Sequence, residues 1–267
     1  MKRGTFLKNY FNRLMTGCKK WELAVWWVFR LLMIGGMVSL IFTNPPSDLP
    51  RPQMALQLFA NLVGMFAWEI FQMFSERNCL RYIPSYCQTI AVVGLFLASF
   101  GGAFLNFYYS IPLWDTILHL FGGAEAVFVG YEITVAMQKR DRVRTSVPIV
   151  LLCALGFSFF VSTCWELFEF TFDQIAGGDS QHWSYALAEK ANDTSTFFPV
   201  RDPSRFALMD TMTDIVFNTI GALIFYVILK FVPYHHRGKN NVNNMFTEAT
   251  GGKSAKKEEA KEVAVVK

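Results

Sequence analysis

The apolar run that begins near Val147 and closes on Trp165-Glu-Leu-Phe-Glu-Phe-Thr-Phe-Asp173 is long enough to cross a bilayer as a helix. Within it Glu166, Glu169 and Asp173 fall at i, i+3 and i+7, so all three carboxyls project from one helix face. An acid inside a membrane helix costs about 2.5 kcal/mol or more unless it is paired, hydrated or bound to a cation. Whatever this chain folds into must bring something to meet these acids.

The rest of the chain has the same character. Only 17% of its 267 residues are charged, against roughly 25% in soluble domains, and 52% are hydrophobic. Six apolar segments approach spanning length: about 22–42, 54–74, 88–106, 113–136, 147–172 and 207–231. The expected fold is all-α, a polytopic membrane helix bundle of about six transmembrane helices occupying residues 21–237. Residues 1–20 set Phe6, Leu7, Tyr10, Phe11 and Leu14 at helical spacing among basic residues. That suits a basic amphipathic leader lying on anionic lipid, or a leader that is merely charged. Residues 238–267, rich in Lys, Glu, Asn and Gly, read as a disordered tail. The first apolar segment is too long for a cleavable signal sequence and no small-residue cleavage site follows it. Asn44-Pro-Pro46 ends it.

Lysine and arginine fix the expected orientation. They collect before the first span, between spans 2 and 3 (Arg77, Arg81), between spans 4 and 5 (Lys139 to Arg144), and after span 6. With six spans these all fall on one side, which places both termini in the cytoplasm and the loop of about 173–206 outside. The net charge of +4 is then a topology signal. No basic–aromatic recognition pattern or zinc-finger spacing points to nucleic acid, so the partners are membrane lipids. Oligomeric state is left open. Cys18, Cys79 and Cys87 fall on the cytoplasmic side and Cys153 and Cys164 inside span 5, so no disulfide framework is expected.

Polar residues inside the spans mark what must be matched. Arg30 in span 1 and Glu69 in span 2 both lie in cytoplasmic halves, which predicts an ion pair or a shared hydrated pocket, structural or functional. Gly94, Gly101 and Gly102 suit close packing of span 3. In span 4, Asp115, His119, Gly122, Ala126 and Gly130 form one small-and-polar stripe; Glu125 and Glu132 fall off it, and Glu132 is expected to be solvated near the cytoplasmic end. In span 6, Asp210, Asp214 and Asn218 recur every four residues and Gly221 continues their face. The long loop carries Trp183, Tyr185 and Phe197-Phe198, which suits a lid on the membrane surface, and a weak glycosylation match at Asn192-Asp-Thr194. Trp68-Glu-Ile-Phe-Gln72 echoes Trp165-Glu-Leu-Phe-Glu169, but five residues are too few to establish an inverted repeat.

The expected topology sets the polar stripes of spans 4, 5 and 6 at one depth, within roughly 12 Å of the outer surface at 1.5 Å per residue. A shared outward-facing pocket follows. Crowded carboxylates need a neutralising cation, and oxygen ligands with one imidazole suit Mg²⁺, Mn²⁺, Zn²⁺ or Fe²⁺. Asp115, Glu169, Asp210 and Asp214 are the candidate metal ligands, His119 and Glu166 the candidate catalytic groups, and Asp173, Asn218 and Gly221 the supporting residues. Neither His-Glu-x-x-His nor Glu-x-x-His is present. The same residues would serve as a proton relay in a proton- or ion-coupled transporter, or as a hydrogen-bond network locking helices in a non-catalytic scaffold.

The pattern Trp-Asp-x-x-x-His, then Trp-Glu-x-x-Glu, then Asp-Thr-x-x-Asp-x-x-x-Asn-x-x-Gly resembles the YjdF-type family of uncharacterised bacterial membrane proteins. More distantly it resembles the VanZ-like family, linked to glycopeptide resistance at the cell envelope. The resemblance covers about residues 110–230 and carries over Asp115, His119, Glu166, Asp214, Asn218 and Gly221. It departs from the VanZ-like pattern at Thr116, where a lysine commonly follows the aspartate. What it implies is a site working on envelope material or lipid head groups, with no mechanism to transfer.

Overall fold

The computed structural model describes residues 3–45, 47–141, 145–184, 197–198 and 202–231, and every regular element among them is helical. The helices are α1 (Arg3–Gly17), α2 (Lys20–Phe42), α3 (Arg51–Gly64), α4 (Ala67–Phe71), α5 (Ser85–Phe96), α6 (Phe107–Ser110), α7 (Trp114–Asp141), α8 (Val147–Ala176) and α9 (Phe206–Phe231). A π-helical stretch, Leu97–Phe104, continues α5. The expected tail 238–267, Tyr185 and Asn192-Asp-Thr194 lie outside the described residues.

Local chemistry accounts for several boundaries. The Lys19 backbone N–H donates to Glu22 Oε2 (2.7 Å) and closes the first turn of α2. Prolines sit in the first turns of α3 and α8, where a missing N–H leaves no bond unmade. Five helices among the described residues are long and apolar enough to cross a membrane: α2, α5 with its π-helical continuation, α7, α8 and α9. Their outward faces are strongly apolar; Phe42, Phe160 and Phe231 are each more than 60% exposed. An apolar surface of that kind belongs in hydrocarbon.

The segment 54–74 is not the single helix its hydropathy suggests. α3 stops at Gly64 after 14 residues and α4 has only five. The break is held by side chains from neighbouring helices. Arg30 of α2 and the Gln88 amide of α5 both donate to the Met65 carbonyl, and Gln88 Oε1 accepts from the Trp68 N–H (3.0 Å). Backbone freed from a helix is tolerated at membrane depth when protein groups satisfy it in this way.

Arg30 is fully buried, and its Nη2 lies 2.6 Å from Glu69 Oε1. Its guanidinium also stacks 3.8 Å from the Phe66 ring centroid. Arg13 of α1 reaches the Gln72 carbonyl through Nε (3.2 Å) and Nη2 (2.9 Å), fixing the leader helix against α4. One apolar core joins α2, α3 and the α5 region around Trp26, Met33, Leu58 and Trp68. A second joins α7, α8 and α9 around Val127, Val135, Leu151 and Ala222. Glu132, expected to be solvated, is instead fully buried and accepts from the Tyr86 hydroxyl (2.8 Å). The turn after Arg81 brings Tyr86 against α7, and the helix face carrying Glu132 is covered by it rather than by water.

Helices α7 and α9 touch through backbone. A Cβ on Gly123 would come within 2.0 Å of the Asn218 carbonyl oxygen, and a Cβ on Gly221 within 1.9 Å of that of Leu120. Only glycine fits at either contact. Substituting Gly221 with Val is expected to lower stability by at least about 2 kcal/mol, the cost of forcing packed helices apart, measurable by thermal unfolding in detergent. Arg30→Met is expected to cost about 3–5 kcal/mol by leaving a buried charge unpaired, and Arg30→Met combined with Glu69→Leu to recover most of it. A double variant no more stable than the single one would contradict that pairing.

Candidate functional site

The two backbone contacts place the acids. One turn before Gly123 on α7 stands His119, and one turn before that Asp115; one turn before Asn218 on α9 stands Asp214. His119 Nε2 lies 3.6 Å from Asp115 Oδ1 and 3.6 Å from Asp214 Oδ1, so a single imidazole nitrogen sits between two carboxylates. α8 is held to α7 by the Ser158 hydroxyl, which donates to the Gly123 carbonyl (3.0 Å). Two turns further along, α8 adds Glu166 and Glu169.

Asp115, His119 and Asp214 offer one ligand atom each, all within 4.8 Å of one another, and so do Glu166, Glu169 and Asp214. Asp214 is common to both sets. Hard divalent cations bind oxygens at roughly 2.0–2.6 Å, so donors on opposite sides of one ion stand no more than about 5 Å apart. Both sets meet that limit. Among the described residues, no lysine or arginine pairs with any of the five. Trp165 Nε1 donates to Glu169 Oε1 (2.9 Å) and orients that carboxyl. Glu166 is only 8% exposed, and although Thr211 stands near its carboxyl, neither oxygen accepts a well-formed hydrogen bond among the described residues. A buried carboxyl without a partner is costly, and it is rare unless a ligand or ion completes it.

The other expected residues lie outside the two ligand sets. Asp210 stands beside the cluster but faces His182, whose Nδ1 is 3.2 Å from its Oδ2. Asp173 accepts the backbone N–H groups of Ser180 (2.7 Å) and Gln181 (2.9 Å), and so ties down the loop after α8. Asn218 and Gly221 form the helix contact described above. Arg30 and Glu69 belong to α2 and α4 and pair with each other.

Sequence reasoning missed two contributors. His182 lies in an irregular loop with a left-handed backbone (φ 52°), wedged edge-on against Tyr109 and Phe206. A histidine in a loop carries no periodicity to flag it. α3 contributes the other: Gln53, Gln57 and Asn61 recur every four residues and line a polar room together with Asp115, Glu169, Asp179 and His182. That stripe was legible in principle and is the signal a reading of 54–74 as a plain apolar span passes over. Gln53 also accepts the Asp179 N–H (3.2 Å), and Gln57 Oε1 is buried without a partner among the described residues.

Burial alone would push the His182 imidazole down, but the Asp210 carboxylate beside it, helped by Asp115 and Asp179, outweighs burial and lifts it to about 9 from 6.5. Burial raises the Asp179 carboxyl, against the Ser184 N–H and His182 that pull it down. The sign for His182 is that of a raised base. Its contribution to stability is complete below pH 6.5 and is lost as the pH rises through about 9. In chelator, the Tm of the protein is therefore expected to fall over that interval, and Asp210→Asn to flatten the fall. A Tm equally pH-dependent in Asp210→Asn would refute the assignment.

The family described as "Predicted membrane protein (DUF2238)" matches residues 26–235. An uncharacterized protein of Thermotoga maritima is 31% identical over 164 residues, covering 61% of this chain and 70% of the relative. No solved structure matches.

Proposed function

The chain belongs to the DUF2238 family of predicted membrane proteins, and from that premise we propose that its α7–α8–α9 cluster is a divalent-cation site that acts on lipid head groups or other envelope material at the outer face of a bacterial inner membrane. The observation that carries this reading is the charge imbalance of the site. Four carboxylates and one imidazole, drawn from three helices, converge with no arginine or lysine among the described residues to offset them. The Glu166 oxygens, without a well-formed hydrogen bond among the described residues, support the reading. Mg²⁺, Mn²⁺ or Zn²⁺ suits this donor set, since it offers oxygens and one nitrogen and no thiolate.

In this reading Asp115, Glu169 and Asp214 hold the ion, and a bound cation would polarise a phosphate oxygen or lower the pKa of water. His119, between Asp115 and Asp214, is placed to carry a proton, with Glu166 as the second proton-transfer group. Asp210 keeps the charged His182 at the rim and is not assigned as a ligand. The cytoplasmic placement of both termini is supported by the distribution of lysine and arginine, and it requires α3 and α4 together to add a sixth crossing to the five helices of spanning length.

The rival readings find less support. A coupled transporter would use Arg30, Glu69 and Gln72 to reach the cytoplasm, yet Arg30 and Glu69 neutralise each other and the Gln72 side-chain amide donates to the Arg81 carbonyl. A purely structural network would give Glu166 a well-formed hydrogen bond, and among the described residues none meets it, although Thr211 stands near.

Purified protein is expected to retain a divalent metal by elemental analysis. After chelation, Mn²⁺ at about a hundred times its Kd should stabilise it by about 2.7 kcal/mol, and Asp214→Ala, which breaks both ligand sets, should abolish that gain. Metal-free protein whose Tm ignores Mn²⁺ would refute the proposal.

A further inference from the structure

Ala98, Tyr108, Asp115 and Trp165 each line two rooms at once. One is the polar room lined by Asp115, Glu169, Asp179 and the amides of α3. The other lies between the π-helical stretch, α7 and α8, is open on one side and has a volume of about 350 Å³. Its wall is hydrocarbon for the most part, built from Leu95, Leu118, Phe121, Phe157 and Val161. His119 and Asn218 stand on this wall too, so the apolar room begins where the ionisable cluster ends. Glu125, also on its wall, has its Oε2 against Gly94, where a Cβ would come within 2.8 Å of it.

A space of this size and lining has few possible contents. Left empty, its walls would forfeit their dispersion contacts. Water needs two to four polar partners, which this wall offers only at its few polar positions. Hydrocarbon meets neither objection and is at hand. Phe121 and Val161, both lining the room, are about two-fifths exposed on helices that the bilayer surrounds (40% and 38%). The room therefore opens sideways into the membrane.

We infer that the apolar room takes the hydrocarbon chain of a membrane lipid and that the phosphate of the same molecule reaches the carboxylate cluster at the room's end, which makes the substrate of the carboxylate centre an amphipathic phospholipid. This rests on the proposed cation site and adds the class of molecule it acts on. Carboxylates alone would repel a phosphate; a divalent cation between them converts the repulsion into a bridge. The chain would lie along Leu118, Phe121 and Phe157, and the phosphate would face Asp115 and His119, which line the same room.

Gly122 supplies the test. It lies on the apolar room's wall, and a Cβ there would have nothing within 4 Å, so a side chain grows into the room rather than into a neighbour. Gly35 on α2 is equally free but does not line the room, and Gly35→Phe is the control. The full-length protein is reconstituted into phosphatidylcholine vesicles containing a trace of phosphatidylglycerol with a diazirine in one acyl chain. After photolysis, wild type and Gly35→Phe should carry label on the Leu118–Phe121 and Phe157–Val161 segments. Gly122→Phe should lose that label about tenfold or more, the scale on which a mis-sized apolar pocket rejects its ligand, and still bind Mn²⁺ as wild type does. Val161→Trp, which fills the room from α8, repeats the test should Gly122→Phe not fold. If either filled variant is labelled like wild type, or wild type carries no label on those segments, the lipid inference falls while Mn²⁺ binding leaves the cation site standing. Label on the room in a protein that binds no Mn²⁺ would instead remove the cation site and retain the chain pocket.

Discussion

The backbone contact between α7 and α9 is the constraint on which the rest depends. Neither Gly123 nor Gly221 can gain a methyl group without striking a carbonyl of the opposite helix. In a bilayer, helices gain little by hiding apolar surface from one another, so close backbone approach is a principal source of attraction between them. It also fixes register. With Asn218 against Gly123, the next turn of each helix sets Asp214 against His119 at 3.6 Å. A slip of one residue would carry each carboxyl about 100° around its helix. The small residues therefore do for the site what a hydrophobic core does for a soluble enzyme.

Charge separates the two halves of the molecule. Trp68-Glu-Ile-Phe and Trp165-Glu-Leu-Phe read alike, yet their acids meet different fates. Glu69 has Arg30, fully buried and 2.6 Å away, and the guanidinium is used twice more, on the Met65 carbonyl and on the Phe66 ring. Glu166 has no lysine or arginine and no well-formed hydrogen bond among the described residues. The contrast between the two acids is what the proposed cation site rests on.

Much of this was legible in the sequence because helical periodicity is a local property. The i+4 spacing of Asp115 and His119, the i+3 spacing of Glu166 and Glu169, and the four-residue recurrence through Asp214 each set side chains on one face of a helix, and those faces converge in the structure. Periodicity says nothing about what lies across the interface. It could not tell that Asp210 would be drawn to His182, that Asp173 would spend both oxygens on loop amides, or that Tyr86 would cover Glu132. Those outcomes depend on contacts distant in sequence. The broken segment 54–74 was misjudged for a related reason: hydropathy averages over residues and does not register that Arg30 and Gln88 satisfy the backbone at Met65.

That break has a geometric consequence for the site. A 14-residue α3 is about 21 Å long at 1.5 Å per residue, well short of the roughly 30 Å hydrocarbon layer. A helix that stops part-way across need not be apolar all round, and α3 turns Gln53, Gln57 and Asn61 towards the carboxylates. These amides donate as well as accept hydrogen bonds, and Gln57 Oε1 remains without a partner among the described residues. On the opposite side of the same acids, the π-helical stretch widens the backbone and Ala98 brings only a methyl group to the wall shared by both rooms. Irregularity in α3 thus supplies a polar surface, and irregularity after α5 leaves space. A pocket that is wet at one end and oily at the other is difficult to build from straight, uniformly apolar helices; here two local departures from them, meeting at Asp115 and Trp165, are sufficient.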